Sequence, residues 1–214
     1  MKIHISIIFC FLASIASAQE IVYLNKFQLK GSKNFINDYK TKNNDNTYNA
    51  IIEIPAGSND KWEVSKSGDL IEHEMKDGRF RKINYLGYPF NYGFLPRTIL
   101  SKKMDGDGDA LDVIVLSQST LKRGSVVKIQ IIGMIKMKDK GRVDNKILSA
   151  TIDSKFSRAK NINMLTTMYP GLKEILSIWF SNYKGEKIKI EGFEEKKTTK
   201  NFISQTQKFY ENKK

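Results

Sequence analysis

Asp105-Gly106-Asp107-Gly108-Asp109-Ala110-Leu111-Asp112, running into Val113-Ile114-Val115-Leu116, is the stretch on which the reading of this chain turns. Four carboxylates fall within eight residues of a protein whose formal net charge is +13. Ionised carboxylates this close repel one another unless cations stand between them. Hard divalent cations take oxygen ligands, so Mg2+, Mn2+ or Ca2+ is the matching counter-charge. The glycines permit a tight turn and close approach of a ligand. The apolar run behind the acids has the character of a buried strand, which would hold them at its mouth. Three plainer readings compete: a solvated acidic turn, a structural calcium site and an EF-hand loop. The EF-hand needs Glu at its twelfth position. Counted from Asp105 or Asp107, that position holds Leu116 or Gln118, which rejects it.

Outward toward the N-terminus, Lys2, the apolar run from Ile3 to Ile15 and Ala16-Ser17-Ala18 have the form of a cleaved export signal. Removal of residues 1–18 after Ala18 is expected, giving an exported protein, periplasmic or secreted. The apolar core is too short for a mature bilayer span, so no stable membrane insertion is expected. Cys10 is the only cysteine and leaves with the signal. Disulfides, thiolate metal sites and a cysteine nucleophile are thereby excluded. The two histidines, His4 and His73, cannot build a histidine zinc site once His4 is lost. The remainder is long enough for one domain with its own core. Basic clusters at Lys136–Lys140 and Glu195–Lys200 favour anionic partners.

Residues 19–47 are polar toward their end and read as a partly ordered N-terminal extension. The domain proper is expected over residues 48–214, with a C-terminal helix. Tyr48 to Ile54 reads as a strand stopped by Pro55, with Glu53 an acid in an apolar run that needs a partner or a metal. Trp62-Glu63-Val64 and Leu70-Ile71-Glu72 read as short strands joined at Ser67-Gly68-Asp69. Tyr85 to Pro96 reads as an ordered loop. Val113–Leu116, Ser125–Met137 (bending at Gly133) and Lys146–Ile152 read as strands, with a turn over Lys138–Arg142. Leu172, Ile175, Leu176, Trp179, Phe180 and Tyr183 form a helical stripe after Pro170, ended by Gly185. Lys187–Ile190 returns as a strand, and a second helix is expected from Phe193 onward, with Phe202, Ile203 and Phe209 as its apolar stripe. Short strands followed by late helices indicate an α+β fold, a small barrel covered by helices.

Five motifs now stand in order along the chain. They are Ile52-Glu53-Ile54-Pro55 with Lys61 and Glu63; Tyr88-Pro89-Phe90-Asn91-Tyr92-Gly93; Asp107-Gly108-Asp109-Ala110-Leu111-Asp112; Lys136-Met137-Lys138-Asp139 with Asp144 and Lys146; and Tyr183-Lys184. With them the chain resembles family I soluble inorganic pyrophosphatases, roughly from Tyr48 to Phe193. The resemblance implies a five-stranded OB-like β-barrel flanked by helices. It implies Mg2+-dependent hydrolysis of inorganic pyrophosphate to two phosphates by a water that the metals activate, with several Mg2+ ions per site and Mn2+ as a possible substitute. It also implies a homo-oligomer.

By the same resemblance Asp107, Asp112, Asp139, Asp144 and Glu53 would bind metal. Asp109 would orient or deprotonate the attacking water, with Tyr92 and Glu63 lining the site. Lys61, Arg81, Lys146, Tyr183 and Lys184 would contact phosphate, with Arg79 competing with Arg81. Asp105 reads as a solvated turn acid. The family signature commonly has Pro where Ala110 stands, which softens the turn and removes no ligand. The residue types suit the chemistry on their own account. A highly charged anion and a poor nucleophile need metals, a carboxylate that takes a proton, and cationic or hydroxyl groups on the departing phosphate. The alternative is a basic OB-like barrel that binds nucleic acid or another polyanion without catalysis, which would need an exposed row of stacking aromatics. Tyr88, Tyr92 and Tyr183 are expected to sit in the site beside acids that would repel phosphate without metal, so no nucleic acid is expected.

Overall fold

The computed structural model describes residues 20–185 and 188–213. The expected export signal and Lys187 lie outside them. The chain opens with an antiparallel hairpin, β1 (Ile21–Asn25) and β2 (Gln28–Gly31). β3 (Tyr48–Ile54), β4 (Trp62–Val64) and β5 (Leu70–His73) follow. A small hairpin, β6 (Met75–Lys76) and β7 (Arg79–Phe80), turns on Asp77 and Gly78, whose φ of 50° and 71° suit a two-residue turn. Then come β8 (Asn91–Leu95), β9 (Leu111–Leu116), β10 (Val126–Asp139), β11 (Arg142–Val143) and β12 (Lys146–Thr151). The remainder is α1 (Ile162–Met168), α2 (Leu172–Asn182), β13 (Ile188–Glu195) and α3 (Lys196–Glu211).

Five strands close a ring. β3 pairs with β8, β8 with β9, β9 with β12, β12 with β10, and β10 returns to β3. Only β9 and β12 run parallel in it. The sequence Leu111–Leu116 suits that place, because a strand buried on both faces needs a continuous apolar run. Alternation sorts the ring residues into two apolar clusters. Leu111, Val113 and Val115 join Ala50, Ile52 and Ile147 under Ile203 of α3. Ile114 and Leu116 join Ile51, Phe94 and Leu148 on the side that α2 covers with Trp179 and Phe180. β10 is long enough to pair with β3 at its start, with β12 in its middle and with β13 at its end. Its register shifts at Gly133, the expected bend, where a Cβ would collide with Ile162 and the Glu194 backbone. Outside the ring, β1, β2, β5 and β4 form a second sheet in that order. Among the described residues no helix is long and apolar enough to cross a membrane.

Several sequence expectations are corrected. The Tyr85–Pro96 segment contains a strand, β8, inside the ring. Its Tyr, Asn and Gly composition hides it, and Gly93 is needed because a Cβ there would strike the Ile51 backbone. β10 runs on to Asp139, and the turn shrinks to Lys140-Gly141, at φ 51° and 84°. Ile175 is 52% exposed, so the buried stripe of α2 is Leu176, Trp179 and Phe180. The last helix starts at Lys196, and Phe193 belongs to β13. The stripe of α3 that is fully buried is Thr199, Ile203, Thr206 and Tyr210, with Phe202 and Phe209 only half-buried. α1 follows an Asn161 cap and was not anticipated.

Candidate active site

The ring delivers its polar residues to one place. Asp112 and Glu53 are the polar interruptions of β9 and β3, Tyr92 lies on β8 between them, and Lys146 opens β12. The Lys140-Gly141 turn folds the end of β10 back, so Asp139, Asp144 and Lys146 share one hairpin. Asp107 and Asp109 sit in the loop before β9, where the Asp109 N–H donates to Asp107 Oδ1 at 2.9 Å. Lys61 and Glu63 come from β4 and its approach, and Tyr183 and Lys184 from the end of α2. All of these residues, and Arg81, line one cavity of about 940 Å³. Arg79 does not line it.

Charge in the cavity is paired tightly. The Lys146 ammonium bridges Asp112 Oδ2 and Asp144 Oδ1, the latter at 2.5 Å, with its side chain 3% exposed. Lys184 reaches Asp139 Oδ2 at 2.7 Å, and Lys61 reaches Glu63 at 2.9 Å. Lys61 Nζ and Lys146 Nζ each stand 5.9 Å from the centroid of the Tyr92 ring. Burial opposes the charges of Lys146 and Lys61. Asp112 and Asp144 overcome it for Lys146, and Tyr88, Glu63 and Glu53 for Lys61, so both ammonium groups are held above their usual range. Asp112 is also buried, but Lys146 keeps its carboxyl low. Asp144 goes up, through burial and the charge of Asp112. Asp107 is raised by burial and by Asp109 and Asp112. Burial pushes Glu53 up to about 8, against the pull of Lys61, and its Oε1 accepts from the Val64 N–H at 2.7 Å.

This donor set fits hard divalent cations. One ammonium shared by two carboxylates leaves negative charge uncompensated. Asp139 Oδ1 is buried with no hydrogen-bond partner, as an acceptor left over for a cation would be. Among the described residues no three carboxylates already converge as a ready ligand cage, because lysines are interposed between them.

The cavity extends past the expected residues. Tyr88 is 2% exposed and packs on Tyr92 and Trp179 at 5.3 and 4.6 Å; it lies in a motif quoted above but had no assigned role. Glu74 holds Arg81 Nη1 at 2.9 and 2.7 Å, and no sequence signal marks that partner. Lys66 reaches Asp109 at 3.4 Å from the rim. At the outer end the Tyr210 hydroxyl of α3 donates to Asn37 Oδ1 at 2.6 Å, joining two segments distant in sequence.

A closed five-stranded ring with a carboxylate- and lysine-lined cavity defines a hydrolase site for a small phosphorylated anion. The model of the inorganic pyrophosphatase family matches residues 50–211. The inorganic pyrophosphatase of Rickettsia conorii is 34% identical over 170 residues, 76% of this chain and 91% of that protein. That of Sulfolobus acidocaldarius is 33% identical over 168 residues, 76% of this chain and 90% of the relative. The solved Helicobacter pylori inorganic pyrophosphatase shares 30% identity at a TM-score of 0.67, covering 81% of this chain and 99% of that one. The type I enzyme from P. falciparum superposes at a TM-score of 0.82 with 26% identity, covering 90% of this chain and 72% of that one. The chain belongs to the inorganic pyrophosphatase family and is a hydrolase of the inorganic diphosphatase class.

Proposed function

We propose that this protein hydrolyses inorganic pyrophosphate to two phosphates in a Mg2+-dependent reaction. The observation that carries the reading is the convergence of Asp107, Asp112, Asp139, Asp144 and Glu53 with Lys61, Arg81, Lys146, Tyr183 and Lys184 in one cavity. The five carboxylates would hold Mg2+, with Mn2+ as a possible substitute. Bound cations would neutralise phosphate oxygens and acidify a water.

The chain's own residues do the rest. Asp109, 63% exposed at the mouth of the cavity, would take a proton from the attacking water. Lys146 is paired with Asp112 and Asp144, and Lys184 with Asp139; with those carboxylates turned to cations, the two ammonium groups would be available to phosphate. Lys61, just before β4, and Arg81, just after β7, line the same cavity and would hold the other phosphate. Tyr92 helps hold the Asp112 carboxyl low and lies within 5.9 Å of both lysine ammonium groups, while Glu63 pairs with Lys61.

Tyr88, Tyr92 and Tyr183 are 2%, 5% and 9% exposed, so they form no stacking row, which argues against the polyanion-binding alternative. Phosphate release from pyrophosphate with Mg2+, with and without chelator, tests the function. Release that is absent with Mg2+, or unaffected by the chelator, overturns it.

Export after cleavage at Ala18 is the proposed route out of the cytoplasm, supported by Lys2, the apolar run and Ala16-Ser17-Ala18. Intact-mass analysis of protein from its host tests it, and a mature chain beginning at Met1 refutes it. A homo-oligomer is proposed on the apolar exposure of Leu86, Ile175 and Ile178, at 71%, 52% and 59%. Light scattering that returns a monomer refutes it.

A further inference from the structure

Arg81 is held through its backbone as well as its guanidinium. Its N–H donates to the Glu74 carbonyl at 2.8 Å, and its own carbonyl accepts from the Lys61 N–H at 3.0 Å. His73 Nε2 stands 2.9 Å from the same carbonyl. A carbonyl only accepts, so Nε2 carries the proton. One carbonyl oxygen thus joins the backbones of two phosphate contacts to one imidazole.

His73 is itself clamped. Its ring stacks on Trp62 at 5.4 Å and 12° and on Phe80 at 5.0 Å and 29°. Phe27 stacks on Phe80 at 3.5 Å, and the Phe27 carbonyl accepts the His73 N–H at 2.9 Å. At the far end Arg123 lies 3.9 Å from the Trp62 ring and donates Nε to the Glu53 carbonyl at 2.8 Å. Phe27 belongs to the turn of the β1–β2 hairpin, outside the residues that match the family model.

We propose that His73, clamped by Phe27 of the N-terminal hairpin, is a positioning residue that fixes the Arg81 and Lys61 backbones and so sets the phosphate side of the site. The proposal rests on the reading of Arg81 as a phosphate contact. Aromatic stacking alone would make His73 a core residue whose loss costs stability. Positioning makes a different demand, for an N–H aimed at the Arg81 carbonyl. His73→Phe keeps an aromatic ring in the stack and removes the Nε2 donor, and the Arg81 carbonyl keeps its bond from Lys61.

The test compares Arg81→Ala, His73→Phe, His73→Gln, Phe27→Leu and the His73→Phe/Arg81→Ala double variant at saturating Mg2+. KM and kcat for pyrophosphate and the thermal midpoint are read for each. Loss of one hydrogen bond of ordinary worth predicts a KM for His73→Phe raised roughly three- to tenfold, with kcat within about twofold. His73→Gln, which restores a donor, recovers part of the loss, and Phe27→Leu shifts KM in the same direction. Residues acting in series are non-additive, so His73→Phe costs less in the Arg81→Ala background than alone, keeping only the part that acts through Lys61. A normal KM in His73→Phe, while Arg81→Ala raises it, overturns the positioning role. So does a double variant whose effects multiply. A normal KM in Arg81→Ala overturns the phosphate role of Arg81 itself and takes this inference with it.

Discussion

Lys146 and Lys66 each reach a carboxylate of the same cavity, yet they stand in different solvents. On the floor, Lys146 is 3% exposed and lies between Asp112 and Asp144. On the rim, Lys66 is 94% exposed and meets Asp109, 63% exposed, at 3.4 Å. An exposed pair of that length contributes at most about 1 kcal/mol. A buried one costs much to assemble and more to break by halves, because the surviving charge is left without a partner. Like chemistry therefore serves two ends. The floor holds its charges in fixed places, while the rim leaves the Asp109 carboxylate largely in water.

The sharpest division of floor from rim is kinetic. Asp112→Asn and Asp139→Asn are expected to lower Mg2+ affinity and turnover together, turnover by orders of magnitude, because both charge neutralisation and water activation suffer. Asp109→Asn should lower turnover about 10²- to 10⁴-fold and leave Mg2+ affinity near normal. Metal titration and single-turnover hydrolysis on the same variants decide it; turnover of Asp109→Asn restored at saturating Mg2+ would move that residue to the floor.

Next in size is the stability of the metal-free protein. Lys146→Met strands two half-buried carboxylates, so a loss of at most about 3–5 kcal/mol is expected in chelator, largely recovered with Mg2+. Denaturation curves with and without Mg2+ measure it, and equal losses under both conditions would break the argument.

Glu53 gives a smaller, pH-dependent effect. Burial raises its folded value to about 8 from the ordinary 4.5. Its contribution to stability is therefore fully present below about 4.5, where both states are protonated. Between about 4.5 and 8 the folded state holds a proton that the unfolded chain has lost, so stability falls as pH rises. The slope is at most about 1.4 kcal/mol per pH unit for one group. In chelator, Glu53→Gln should flatten the decline; an unchanged slope between pH 5 and 8 would refute the assignment. Least affected is Lys66→Ala, expected within about 0.5 kcal/mol of the parent in the same denaturation assay.

The floor was more legible in the sequence than its supports. Asp107, Asp109 and Asp112 cluster within six residues, and Asp139, Asp144 and Lys146 share a short hairpin, so neighbourhood in sequence stands in for neighbourhood in space. The ring was legible where strands are apolar, as in Leu111–Leu116, and hidden where the residues are Asn91-Tyr92-Gly93, whose strand character comes from two flanking partners. Glu74 and Phe27 were not legible at all. Glu74 meets Arg81 across the β6–β7 hairpin and Phe27 meets His73 from the β1–β2 turn, and nothing in their own neighbourhoods marks a site.

The ring also sets a timetable. Ile51 pairs with Val126, 75 positions later, and β12 must slide in parallel beside β9 before closure. Pairings of such separation are slow to form, because the intervening chain must be ordered before contacts repay it. β3 keeps an open edge until Val126–Ile129 pair with it, and β9 keeps one until β12 arrives, and open edges invite other chains. The pattern that makes the finished molecule a closed, edge-free support for its carboxylates is also the one that leaves its nascent chain longest exposed to aggregation.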